Sequence, residues 1–336
     1  MRPARRIFLL ALGTLLLVPG AAYCQQMMKA VRIHGFGGPE VLVMEEVPRP
    51  QPGAGELLVR VHAAAVNPVD TGMRRRGMMG TGLPYTPGFD VSGVVESVGA
   101  GVTRFRPGDE VFAMISLRRG GGYADFAIVL EPEASRKPTE ATHAEAAAVP
   151  LVALTAWQAL FETADLQEGQ TVLIHAGAGG VGSVAVQLAK WKGATVIATA
   201  SPRNHEFLRS IGADVVVDYN TRRFEEFASG VDVVLDPIGG ETQVRSLSVL
   251  KEGGILVSIV GLSPAARSPG RDVRTVGILV QPDGTSLQQI ADLIDEGYLK
   301  PVVTHIFSLE EAPEAHRQSE TRHTRGKIVF QIIPPR

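Results

Sequence analysis

Hydrophobic and polar positions change rhythm twice along this chain. From Met28 to about Pro150, short alternating runs such as "KAVRIHGFG", "LLVRVHAAAV", "VSGVVESVGAGV", "DEVFAMIS" and "GGYADFAIVL" are separated by glycine and proline turns. That pattern predicts a partly closed β-structure. From about Leu151 to Pro282, apolar runs of strand length alternate with stretches of helical spacing: "TVLIHAG" then "SVAVQLAKWKG", "TVIATAS" then "RNHEFLRSIG", "VDVVLDPIG" then "ETQVRSLSVLKEG", then "ILVSIVG". Strand-helix alternation predicts a parallel sheet covered on both faces. The tail returns to short elements, a helix in "SLQQIADLIDEG" and a last strand in "GKIVFQII".

The first residues break the pattern. Arg2, Arg5 and Arg6 precede an apolar and small-residue run from Ile7 to Val18, which is too short to span a bilayer comfortably. Residues 1–24 read as a signal peptide, and "ARRIFLL" resembles a twin-arginine export motif, so a periplasmic or exported protein is expected, with no stable membrane span after cleavage. The alternative is a cytoplasmic chain starting at Met27 or Met28. Cys24 is the only cysteine, so a chain cleaved after it has no disulfide and no cysteine-based zinc site. Without the three leader arginines the net charge is about −5, and no basic run points to nucleic acid.

The stretch "TVLIHAGAGGVGSVAVQLAKWKG" carries Gly177, Gly179 and Gly182 in G-x-G-x-x-G spacing after a strand and at the start of a helix. Glycines there allow a tight turn and close approach to a pyrophosphate, whose charge rests on helix N-terminal amides from about Gly180 and Val181. Val181, Val184, Ala185, Leu188 and Trp191 form a stripe expected to pack on the sheet, with Gly193 as the stop. The following strand ends in Thr199–Asn204, which contains no acidic residue for a ribose hydroxyl. Ser201 and Arg203 suit a 2′-phosphate, which makes NADPH the expected cofactor.

The motifs "GFGGPEVL", "PYTPGFDVSGVVESVGAGV", "GDEVFA", "AAAVPLVALTAWQAL", "HAGAGGVG" and "GADVVVDY", in this order, resemble the medium-chain dehydrogenase/reductase superfamily, closest to its zinc-free quinone oxidoreductase branch. The resemblance implies an α/β fold: a Rossmann-type doubly wound parallel sheet plus a GroES-like partly closed β-barrel. It divides the chain into a barrel domain (28–150), a Rossmann domain (151–284) and a C-terminal segment (285–336) returning to the barrel domain. Zinc-dependent relatives carry a cysteine where this chain has Asn67, and Gly-His-Glu where it has Gly88, Phe89 and Asp90, so no metal is expected. By the same resemblance Asn67 and Asp70 lie at the nicotinamide end, and Thr155 lines the cofactor cleft. Ser201, Arg203 and Tyr219 surround the 2′-phosphate; Val260, Gly261 and Leu262 hold the carboxamide. The sequence alone leaves an Asn-Pro turn as the lesser reading of "NPVD", reads Tyr219 equally as a half-buried strand-end aromatic, and reads Tyr85 as a turn aromatic rather than a donor to substrate. It leaves Lys327 between a phosphate contact and a surface lysine. The extra arginine in "MRRRG" (Arg74–Arg76) is expected at the rim of the entrance. The activity implied is hydride transfer from NADPH to a small-molecule acceptor, a quinone or an α,β-unsaturated carbonyl, by a homodimer. An alcohol dehydrogenase-like enzyme without zinc and a non-catalytic NADPH-binding redox sensor remain as alternatives.

Overall fold

The computed structural model describes residues 26–77 and 82–334, so the proposed leader, residues 1–24, lies outside the described residues. The first part contains β1 (Met27–Arg32), β2 (Val43–Pro48), β3 (Glu56–Val66), α1 (Pro68–Arg76), β4 (Asp90–Val98), β5 (Glu110–Met114), β6 (Phe126–Leu130) and β7 (Ala134–Arg136). It continues through α2 (His143–Ala147) and α3 (Pro150–Trp157). The strand-helix part contains β8 (Thr171–Ile174), α4 (Gly180–Trp191), β9 (Thr195–Ala200), α5 (His205–Ser210) and β10 (Val215–Asp218). After these come β11 (Val231–Asp236), α6 (Gly240–Ser246), β12 (Leu250–Ser258), α7 (Pro264–Arg267) and β13 (Arg274–Gly277). The tail holds α8 (Gly284–Asp295), β14 (Val303–Phe307), α9 (Ala312–Glu320) and β15 (Lys327–Gln331).

β3 is the spine of the first sheet, whose order is β14-β15-β3-β4-β5-β7. One edge of β3 pairs with β4; the other is shared by β6 along Glu56–Arg60 and by β15 along Ala63–Val66. With both edges bonded, β3 is buried along most of its length. Alanines at 63 and 65 leave room for the alanines of α2, which pack directly on the strand. The tail strands therefore complete the sheet built on β3, while β1 and β2 pair with each other in a two-stranded sheet of their own.

The second sheet is wholly parallel, in the order β10-β9-β8-β11-β12-β13. Its first strand lies in the middle, so the strand order reverses between β8 and β11, and ligands bind doubly wound sheets at the carboxyl ends beside such a reversal. On α4, Val184, Ala185 and Leu188 are buried as the periodicity predicts, and Gly193 ends the helix at φ 84°. Trp191 corrects that reading: it is 40% exposed and stacks on Trp157 at 6.3 Å. Helix α4 contacts both the sheet and α3, and its last residue sits against Trp157 at the end of α3 and Phe161 just past it. A second correction concerns Arg74, which is fully buried rather than on a rim. Its guanidinium bonds the Gly37 carbonyl and the Glu320 carboxylate.

Candidate active site

The turn after β8 is built for close approach. Gly177 N–H donates to the Thr199 carbonyl at 3.0 Å, and the Thr199 hydroxyl lies 3.2 Å from the Ala176 amide. A Cβ on Gly182 would run into the Ala176 carbonyl and lie 2.7 Å from Gly177 Cα. Gly179 is the N-cap and Gly180, Val181 and Gly182 form the first turn of α4, where helix geometry leaves amide donors free for an anion. The buried His175 beneath them contacts Thr199 and Ser246 through its two ring nitrogens, and burial lowers its pKa to about 4. It is a neutral strut under the loop.

Beyond β9, Ser201 accepts from Asn204 at 3.4 Å and Arg203 donates to the His323 carbonyl at 3.1 Å. Tyr219 follows β10, whose Asp218 pairs with Ala200 of β9, and it is exposed rather than half-buried. The sequence reading missed Arg325. Its guanidinium donates to Asn204 at 3.0 Å and lies over the Phe207 ring at 5.1 Å, so it joins Ser201 and Arg203 from a distant part of the chain. The basic run Arg322–Arg325 was the available signal. Asp218, paired with Ala200 at the end of the neighbouring strand, spends its carboxylate on Asn220 and Thr221.

Past β11 and β12, Val260, Gly261 and Leu262 line a cleft of about 440 Å³ with Ile238, Gly239 and Arg267. Gly261 takes φ 86°. Asp236, also missed, organises both loops: its buried carboxylate accepts from the Ile238 and Gly239 amides, from Gln243 and from Ser258. Gln243 in turn donates to the Gly261 carbonyl at 2.9 Å.

The first sheet contributes a buried polar cluster. Asn67 caps α1 with Pro68 next, and the Asp70 carboxylate accepts the Asn67 N–H at 2.7 Å, so the Asn-Pro turn is the start of a helix. The Asn67 amide is turned away from its helix: Nδ2 donates to Asp90 at 2.8 Å and Oδ1 accepts from Lys327. Asp90 also accepts the Leu151 N–H at 2.7 Å. Lys327 is not a surface lysine: it is buried with its ammonium on Asn67 and 3.4 Å from Asp90. Burial raises Asp90 and lowers Lys327, each opposed by the attraction of the other. Asp70 also accepts the Gly88 N–H, and burial pushes its carboxyl up to about 7.

Tyr85 and Tyr123 face Asp70 with buried hydroxyls, and burial raises both phenols. Tyr85 also makes a backbone pair with Ile33, as a turn aromatic would. The Thr155 hydroxyl is buried and bonds the Leu151 carbonyl of its own helix. Among the described residues, no group of three or more His, Cys, Asp or Glu side chains could hold a metal ion.

A glycine-rich turn at the strand-order reversal of a parallel sheet, with a second sheet supplying buried polar side chains, places the chain among the dinucleotide-binding α/β proteins. Residues 53–139 match the alcohol dehydrogenase GroES-like domain and residues 211–330 the zinc-binding dehydrogenase family. The chain is 36% identical to the NADPH-dependent alkenal/one oxidoreductase of Arabidopsis thaliana, over 91% of this chain and 80% of the relative. It is 33% identical to the quinone oxidoreductase of Mus musculus, over 92% and 98%. The quinone oxidoreductase structure from Coxiella burnetii superposes with a TM-score of 0.86 at 36% identity, covering 92% of this chain and all of that one. The chain belongs to the medium-chain dehydrogenase/reductase superfamily.

Proposed function

We propose that this chain is a zinc-independent, NADPH-dependent reductase of quinones or of the C=C bond of α,β-unsaturated carbonyls. The observation that carries the cofactor choice is the end of β9, where Ser201, Arg203 and Arg325 come together and Asp218, at the end of the neighbouring strand, is turned onto its own loop. Bound NADPH supplies the hydride. The chain's residues do the rest: the glycine turn would seat the pyrophosphate, and the Asp236–Gln243 network fixes the Val260–Leu262 backbone that would hold the carboxamide.

Where zinc-dependent members of the superfamily place ligands, this chain has Asn67 and Asp90 around an ammonium. A metal-free site can still reduce an electron-poor C=C or a quinone, because those acceptors need orientation and a few hydrogen bonds on oxygen rather than a Lewis acid. The relatives named for quinone and alkenal reduction support the same reading. Stopped-flow oxidation of bound NADPH by a panel of quinones and enones, with and without prior chelation, tests it. Turnover unchanged by chelation is expected. Metal-dependent oxidation of simple alcohols, or binding of NADPH without turnover by any acceptor, would replace it.

A further inference from the structure

We propose that Lys327 is a positioning residue that orients the amide of Asn67 from the dinucleotide loop, and that it does not hold phosphate. The inference rests on the reading above, in which Asn67 serves the nicotinamide end. Gly326 N–H donates to the Ala178 carbonyl at 2.9 Å and Gly326 bridges Gly179, so β15 begins against the glycine turn. A Cβ on Gly180 would lie 3.1 Å from Lys327 Cδ, which places the lysine stem on that turn. From there the side chain runs inward to Asn67 Oδ1 and to Asp90, whose second oxygen is committed to Leu151 at the start of α3.

The three side chains close a triangle. An amide's two ends look alike in shape, so its orientation is set by what faces it. Here the cation faces Oδ1 and the carboxylate faces Nδ2, and a flipped Asn67 would set like against like. Asp70 is the other charged group beside the triangle, and its attraction also favours the ammonium. Ion pairs buried in this way contribute little net stability, which leaves orientation as the use of the charge.

The test is NADPH titration followed by the emission of the bound reduced nicotinamide, with turnover at saturating cofactor. For Lys327→Met, affinity within threefold of wild type, altered emission of bound NADPH and a kcat at least tenfold lower are expected. Because that variant strands Asp90, the double variant Lys327→Met/Asp90→Asn is made alongside. It should recover the lost melting temperature while kcat and emission stay changed. Affinity falling more than tenfold with a steep salt dependence would place the ammonium on phosphate and overturn the proposal. Recovery of kcat and emission together with stability in the double variant would also overturn it. A wild type without turnover removes the reductase reading alone, and the emission of bound NADPH then decides the role of Lys327.

Discussion

Asp70 shows what burial does to a single carboxyl. It is fully buried, held by two backbone amides and faced by Asp90, Lys327, Tyr85 and Tyr123, and its pKa rises to about 7. Below about pH 4 it is protonated in both folded and unfolded chains. Between about 4 and 7 the unfolded chain ionises first, so stability falls as pH rises through that window, by about 4 kcal/mol in total. Asp70→Asn should flatten this part of a melting-temperature profile, and an unchanged slope would mean the carboxyl titrates normally. At the phosphate end, Arg203→Ala and Arg325→Ala should each weaken NADPH binding by about 1.5–3 kcal/mol and NADH hardly at all, measured by fluorescence titration. Arg203 was legible because it follows a recognisable strand in sequence. Arg325 and the ammonium of Lys327 were not, since they meet Asn204 and Asn67 across 121 and 260 positions, and residue type alone carries no trace of such a meeting.

Among the elements, those with a strong local period were readable: β8, β9, β11, β12, α4 and α8 stand where alternation and helical spacing put them, whereas the short strands β10 and β13 were not among the runs read as strand. Helices α1, α2 and α3 were not visible as helices in the run up to Trp157. In α3 every position from Pro150 to Ala156 is buried, so no polar face marks the period. In α1 the Asn-Pro start imitates a turn until Asp70 is seen to bond back to Asn67. The glycine spacing at the head of α4 was legible because it is a backbone requirement written in residue type. Gly182→Ala puts a methyl against the Ala176 carbonyl, with backbone on both sides and no flexible side chain to yield. It should cost on the order of 2–3 kcal/mol in denaturant unfolding and weaken NADPH binding as the turn is pushed open. Gly55→Ala, at a positive-φ position with open space, serves as the control: it should lower stability and leave cofactor affinity unchanged.

Across the whole molecule, the chain returns to its first sheet after building the second. Helix α8 packs beside β7 with Ser135 donating to Gln288 at 2.9 Å, β15 completes the edge of β3, and Gly326 rests on the glycine turn. Each of these contacts joins segments far apart in sequence, which is why the two rhythms of the chain announced two sheets but not how they are fastened. The fastening implies that neither sheet can lose its order while the other keeps its own: unfolding β15 strips β3 of a partner, the glycine turn of its neighbour and Asp90 of its counter-ion. Calorimetry should therefore give one cooperative transition. NADPH at a hundred times its Kd adds about 2.7 kcal/mol to the folded state, and that single transition should move up by roughly 4 °C as a unit. Two peaks, only one of them shifted by NADPH, would show that the crossing contacts leave the sheets independent. With Arg203→Ala the same NADPH concentration should produce a smaller shift of the same single peak, because the arginine changes affinity and leaves the fastening between the sheets intact.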